Sequence, residues 1–258
     1  MKILAVDTQT FSKMREMDAL YVDKTQFIHK MVAQSGVYFL SRPRRFGKSL
    51  LVSTLKALFE GRKELFEGLY VYDKWDWSLR FPVIRIDWSG IVLSTPEAMN
   101  KNLPVYLKSI AEAYNIKIEA DTGQSYFREL IVGLHKATSQ QVVILIDEYD
   151  QPVTSHLHDE HLKAMIKEVH NIYQVMKECD EHIRFIFITG VSKFSGLSVF
   201  SALNNPQDIT LRAEYAGICG YTQQELETAL SEHIDHAAEV RGETREQVID
   251  GIRKWYDG

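Results

Sequence analysis

The sequence predicts an α/β protein in which helices cover both faces of a parallel sheet. Three observations carry this. Apolar runs of four to six residues, rich in β-branched and aromatic side chains, recur along the chain, as strands buried on both faces do. Stretches with apolar residues at helical spacing lie between them, and that alternation implies right-handed β-α-β crossovers. At the first junction a loop ending in Gly47-Lys48-Ser49 joins a strand to a helix.

Taken in order, the first strand is Val37-Tyr38-Phe39-Leu40. The helix after it covers 48–60, with Leu51, Leu55 and Leu58 at i, i+4 and i+7 and Gly61 as its stop. The second strand is Val83-Ile84-Arg85-Ile86-Asp87. Thr95-Pro96-Glu97 then opens a helix, because proline suits the first helical position, and Pro104 is expected to kink or break it. Phe127, Leu130, Ile131 and Leu134 build a helix over 125–137, and Val142 to Ile146 is the third strand. Over 159–179, Leu162, Met165, Ile166, Val169, Tyr173 and Met176 share one face, and Asp159 stands where it can cap the start. Strands over 184–189 and 208–211 complete the set.

Beyond about Gly220 the pattern changes. Thr222-Gln223-Gln224-Glu225 and Thr244-Arg245-Glu246-Gln247 are capping boxes, in which the Thr hydroxyl and the Glu or Gln side chain satisfy exposed backbone N–H groups. One opens a helix carrying Leu226, Leu230 and Ile234, the other a helix carrying Val248, Ile249, Ile252 and Trp255. Two helices without a strand between them predict a small helical lid. The expected division is 1–215 for the core and 216–258 for the lid.

Composition bounds the function. With 45% hydrophobic residues and 25% charged, the 258-residue chain is globular rather than disordered. Cys179 and Cys219 are too few and too far apart for a disulfide framework or a CxxC zinc ribbon, which favours a reducing, cytoplasmic setting. The N-terminus has no signal-peptide pattern, and no apolar run approaches the ~20 residues of a membrane span. A net charge of −5 argues against a protein that coats nucleic acid, while leaving a local basic site open.

The chemistry concentrates in three places. In Arg42-Pro43-Arg44-Arg45-Phe46-Gly47-Lys48-Ser49-Leu50, the stretch Arg44 to Leu50 is the expected nucleotide-binding segment. Gly47 lets successive N–H groups turn toward a phosphate, Lys48 brings a point charge to the β- and γ-phosphates, and Ser49 offers a hydroxyl to Mg²⁺. Arg44 and Arg45 flank the loop and are either charge-neutralising or simply solvated. The pattern GxxxxGK[ST] demands glycine at the position of Arg42, so the loop departs from it, and Pro43 biases Arg42 toward extended backbone. About a hundred residues on, Val142-Val143-Ile144-Leu145-Ile146-Asp147-Glu148 has the Walker B form, with Asp147 for the Mg²⁺ shell and Glu148 to orient and polarise the attacking water. Third, the run Phe185 to Thr189 suits a strand beside Walker B that delivers Thr189 near the γ-phosphate as a sensor; Lys193 is read as a loop lysine.

Other candidates are weaker. His156, His158 and His161 are read as a solvated loop in preference to a metal site. Cys179 and Cys219 read as inert thiols, and no GxSxG elbow is present. Trp75, Trp77 and Trp88 read as core or interface rather than a base-stacking platform.

Taken together, Phe11 with Tyr21-Val22-Asp23-Lys24-Thr25, Arg42 to Ser49, Leu145-Ile146-Asp147-Glu148-Tyr149-Asp150, Thr189-Gly190-Val191-Ser192-Lys193-Phe194, Leu203-Asn204-Asn205 before Asp208-Ile209, and Lys254-Trp255-Tyr256-Asp257-Gly258 resemble the predicted AAA-ATPase-like proteins of bacteria. The resemblance implies an additional-strand P-loop ATPase of the RecA/AAA kind, with the sensor strand between the P-loop strand and the Walker B strand. It also implies that Arg42 in place of glycine is the family's own form. ATP rather than GTP is carried over from the family. Members commonly continue into a PD-(D/E)XK nuclease-like domain, and this chain stops where that domain would begin. The expected activity is Mg²⁺-dependent ATP hydrolysis that switches an attached or partner effector. The competing expectation is a nucleotide-binding scaffold with little turnover controlling a nuclease-like domain. Homo-oligomerisation and an arginine finger in trans stay open.

Overall fold

The structure, a computed structural model, describes residues 1–193, 203 and 206–256. Phe194, Asn204, Asn205, Asp257 and Gly258, on which the resemblance partly draws, lie outside the described residues.

Five parallel strands form the sheet: β1 (Gly36–Ser41), β2 (Val83–Asp87), β3 (Val142–Asp147), β4 (Ile183–Gly190) and the short β5 (Gln207–Asp208), in the order β2-β3-β4-β1-β5. The α/β class therefore holds, and β4 is inserted between β1 and β3, as the resemblance implies. The central strands are apolar along their middles, Val37 to Leu40, Val142 to Ile146 and Phe185 to Ile188, because both faces are covered. Val37, Phe39, Ile144 and Ile188 face one layer, made by α4 (Pro96–Ala113), α5 (Gly123–Thr138) and α7 (Leu162–Glu178). Tyr38, Leu40, Leu145 and Phe187 face the other, made by α1 (Phe11–Glu16), α2 (Thr25–Val32) and α3 (Lys48–Phe59). A four-residue helix, α6 (Gln151–Thr154), follows β3.

Several elements differ from expectation for identifiable reasons. Helix α4 runs through Pro104 without a break. The missing proline N–H forfeits one bond to the carbonyl four residues back, but Met99, Leu103, Leu107 and Ala111 are buried along one face and hold the helix on the sheet. Helix α7 starts at Leu162 rather than 159, because Asp159 is engaged by His156 at 2.6 Å and by the His161 N–H instead of capping. The strand expected over 208–211 shrinks to two residues at the sheet edge. Trp88 is fully buried and its indole N–H donates to the Tyr173 hydroxyl at 3.1 Å, as a core tryptophan should.

The C-terminal region forms α8 (Gln223–Ala229), α9 (Ser231–Arg241) and α10 (Arg245–Tyr256), so the first expected helix is split at Leu230. Both capping boxes form: Thr222 with Glu225, and Thr244 with Gln247. Ile234, Ala238, Val248 and Ile249 make a small cluster separate from the two layers of the sheet. Among the described residues, no helix is long and apolar enough to cross a membrane.

The N-terminal motif Tyr21 to Thr25 ties distant segments together. Asp23 accepts the Thr25 and Tyr70 N–H groups, the Thr25 hydroxyl accepts the Val71 N–H, and Lys24 donates to both carboxylate oxygens of Glu225 at 2.6 Å. Lys24 is buried, so this ion pair couples α2 to α8.

Candidate nucleotide site

The site is built where β1, β3 and β2 end on the α3 side of the sheet. Gly47 has φ +86°, a left-handed turn that costs glycine little, and the next residue is the first of α3. Lys48 is almost fully buried; its ammonium donates to the Pro43 carbonyl at 3.2 Å and lies 3.9 Å from the Glu148 carboxylate. A cation so placed, at the mouth of a helix N-terminus, suits a phosphate. Arg44, Arg45 and Phe46 are exposed, Arg45 also in the left-handed region at φ +66°, and Leu50 is half-buried.

Arg42 shows what replaces the usual first glycine. Its N–H donates to Gly190 and its guanidinium to the Ser41 and Thr210 carbonyls, so the side chain anchors the base of the loop to the segment after β5.

Asp147 ends β3 at 1% exposure. Its Oδ1 accepts the Glu148 N–H at 3.1 Å, while Oδ2 is buried without a hydrogen-bond partner. Burial pushes this carboxyl above the usual range, the Ser49 hydroxyl pulls it down, Asp87 raises it and Arg85 lowers it. A desolvated, open carboxylate oxygen near a serine hydroxyl and the Gly47 turn is the donor set a hard dication takes, so Ser49 and Asp147 fit Mg²⁺. Glu148 holds φ +51°, rare for a residue with a side chain. Burial raises its carboxyl, the Lys48 ammonium lowers it, and Asp147, Asp150 and Asp87 add to the rise.

Thr189 is fully buried and its hydroxyl donates to the Leu40 carbonyl at 2.9 Å, fastening β4 to β1. Beside it lies a lock between the turn after β3 and the turn after β4. Asp150, buried, accepts from the Val191 N–H, the Ser192 N–H and the Ser192 hydroxyl, and Tyr149 donates its hydroxyl to the Ser192 carbonyl. Tyr149 also donates its N–H to the Thr189 carbonyl. Gly190 permits this close approach: a Cβ there would lie 2.4 Å from Tyr149 Cδ1 and 2.5 Å from Asp150 Oδ1. Lys193 pairs with Asp208 at 2.7 Å. Arg85 and Asp87 of β2 also face the site; the signal available was charge inside an otherwise apolar strand.

The loop reaches the C-terminal region directly. The Phe46 carbonyl accepts the Gly220 N–H at 3.1 Å, and Gly220 takes φ +73° with the Phe46 ring 3.3 Å from where its Cβ would stand. Cys219 is buried, which pushes its thiol up to about 11 despite Arg42, Lys48 and Lys24 nearby.

The histidine cluster differs from the solvated loop expected. His158 is exposed, but His156 is buried, with Nδ1 on Asp159 and Nε2 on the Leu93 carbonyl. Two acceptors require two donors, the imidazolium. Among the described residues, no three or more His, Cys, Asp or Glu side chains, these histidines included, are gathered in a group that could hold a metal ion. Burial lowers its pKa, but the hydrogen bonds to Asp159 and Leu93 and the Asp159 charge outweigh that and leave it raised above 6.5. Its stabilising contribution is therefore full below pH 6.5 and lost as pH rises through the folded value. Urea titrations should show the wild type losing stability relative to His156→Gln as pH rises from 6.5 through the raised folded value. Equal losses in the two proteins would remove the imidazolium.

A family model described as Predicted AAA-ATPase matches residues 5–200. An uncharacterized protein in the vnfD 5′ region of Azotobacter chroococcum mcd 1 is 41% identical over 259 residues, an alignment that takes in 100% of this chain and 48% of that protein. The chain thus spans about half the length of this curated relative. Among solved structures, Drosophila ORC bound to poly(dA/dT) DNA and Cdc6 (conformation 1) aligns with a TM-score of 0.40 at 10% identity, covering 88% of this chain and 31% of that one. That likeness is loose, and the strand order itself defines the fold.

Proposed function

The chain belongs to the predicted AAA-ATPase family, and from that premise we propose that it binds and hydrolyses ATP with Mg²⁺ and uses the cycle to move its C-terminal helices for an attached or partner effector. The observation that carries the reading is Asp147, a buried carboxylate with an open oxygen beside the turn that presents Lys48. Lys48 exchanges the Pro43 carbonyl for the β- and γ-phosphates, and the amides after Gly47 bind phosphate oxygens. Ser49 and Asp147 would hold Mg²⁺, which when bound would supply positive charge against that developing on the phosphates. Glu148 orients a water and takes its proton; its raised affinity for protons makes it a better base than a solvated carboxylate. Thr189 is proposed as the sensor at the end of β4, with its hydroxyl held on the Leu40 carbonyl so that it also fixes the end of β1 against β4. Arg44 and Arg45 stand where they can screen phosphate charge.

Two contacts support the switch. The phosphate loop meets the start of the helical region at Phe46 and Gly220, and Lys24 grips Glu225 on α8. The helices after residue 216 pack on their own cluster and form the lid. A loop that shifts to take phosphate therefore pulls on a separately packed body.

Melting with Mg-ATP tests the binding step. At 100 times the dissociation constant, nucleotide should add about 2.7 kcal/mol to apparent stability in the wild type and nothing in Lys48→Ala. Identical shifts, or none in either protein, would overturn it.

A further inference from the structure

We propose that Arg85 is a resident counter-cation of the metal site, competing with the divalent ion for Asp147, and that Asp87 is the carboxylate that draws it away; this rests on the nucleotide reading above. Asp87 lies in register with Asp147 across the parallel β2–β3 pair, so alternation puts Arg85, Asp87 and Asp147 on one face of the sheet. One terminal guanidinium nitrogen stands 3.6 Å from Asp87 Oδ2 and 3.9 Å from Asp147 Oδ2, a hydrogen bond to neither. Arg85 Nε is buried without a partner, and so is Asp147 Oδ2.

A purely structural arginine closes a short, forked pair on one carboxylate. Here it is divided between two, and both carboxylates are fixed by other bonds. Asp87 Oδ1 accepts from the Ser89 N–H at 3.0 Å and the Ser89 hydroxyl at 2.6 Å. Asp147 Oδ1 holds the Glu148 N–H. Each therefore turns one oxygen toward the guanidinium, whose side chain is the mobile partner. With no dication, Arg85 offsets the charge of a buried aspartate. When a dication occupies Asp147 Oδ2, repulsion moves Arg85 toward Asp87, and the Arg85–Asp87 pair sets how strongly metal and nucleotide reinforce each other.

The experiment measures binding of a non-hydrolysable ATP analogue with Mg²⁺ and with EDTA, and takes the ratio of the two affinities. Arg85→Gln removes the competitor, so the ratio should rise about tenfold; Asp87→Asn releases Arg85 onto Asp147, so it should fall about tenfold. Arg85→Lys keeps the charge and should stay within about threefold of wild type, and together with Asp87→Asn it carries the test should Arg85→Gln not fold. Mg²⁺-dependent binding in the wild type with a ratio that is unmoved, or moved the same way by both neutral variants, overturns this inference alone. Absence of binding in the wild type overturns the nucleotide reading and this inference with it.

Discussion

Replacing Glu148 with glutamine is expected to lower the rate of phosphate release from ATP by about 10²- to 10⁴-fold, the usual contribution of a positioned base, while leaving the Mg-ATP melting shift in place. The amide matches the carboxylate in size, so the left-handed backbone at φ +51° and the approach to Lys48 are preserved. What is lost is the ability to take a proton. Removing one negative charge from beside Asp147 and Asp150 also relieves repulsion on an incoming triphosphate, so nucleotide affinity should hold or rise. Phosphate release within about twofold of wild type would dismiss Glu148 as the base. Loss of the melting shift together with turnover would instead make it a binding residue.

Gly190→Ala should cost about 3 kcal/mol, at the upper end of ordinary overpacking. The new methyl would meet the Tyr149 ring at 2.4 and 2.7 Å and the Asp150 carboxylate at 2.5 Å, all in fully or nearly fully buried groups. None can retreat cheaply: Tyr149 is hydrogen-bonded through its hydroxyl and its N–H, and Asp150 through Val191 and Ser192. Urea unfolding at constant m-value reads the loss directly. A change below about 0.5 kcal/mol would mean that the turn after β3 moves freely. Because Glu148 opens that turn, whatever stability survives should come with reduced turnover.

The parts of the fold legible in the sequence were those with a local cause. Aliphatic runs such as Val142 to Ile146 declare a strand covered on both sides, and the Gly47 turn before an apolar repeat declares a strand-to-helix loop. Pro104 misled because propensity was set against a buried face that only the folded sheet supplies. Asp159 misled because its partner His156 stabilises a different turn from the one a cap would make. At the site, Asp147, Glu148, Ser49 and Lys48 were marked by motifs, and the structure brings them together. Asp150, Gly190 and Ser192 stand in segments that carry the family resemblance, but without a role, since their roles exist only where two loops cross, about forty residues apart in sequence. Arg85 and Asp87 could be suspected from charge inside an apolar strand, but their register against Asp147 is a property of the sheet.

The strand order also dictates a schedule. β1 is made early, yet its pairing partners are β4 and β5, and the layer over it is completed by Ile209, Tyr215 and Ile218. At about 5–20 residues per second, a ribosome that has finished β1 needs roughly seven to thirty seconds to deliver β4. Through that interval Val37 to Leu40 is an aliphatic-aromatic edge without its β4 partner, carrying the loop of Arg42 to Gly47 at its end. The same insertion that sets β4 between β1 and β3 thus delays the closing of the sheet, and the part-buried Lys24–Glu225 pair, spanning 201 residues, is among the last bonds to close.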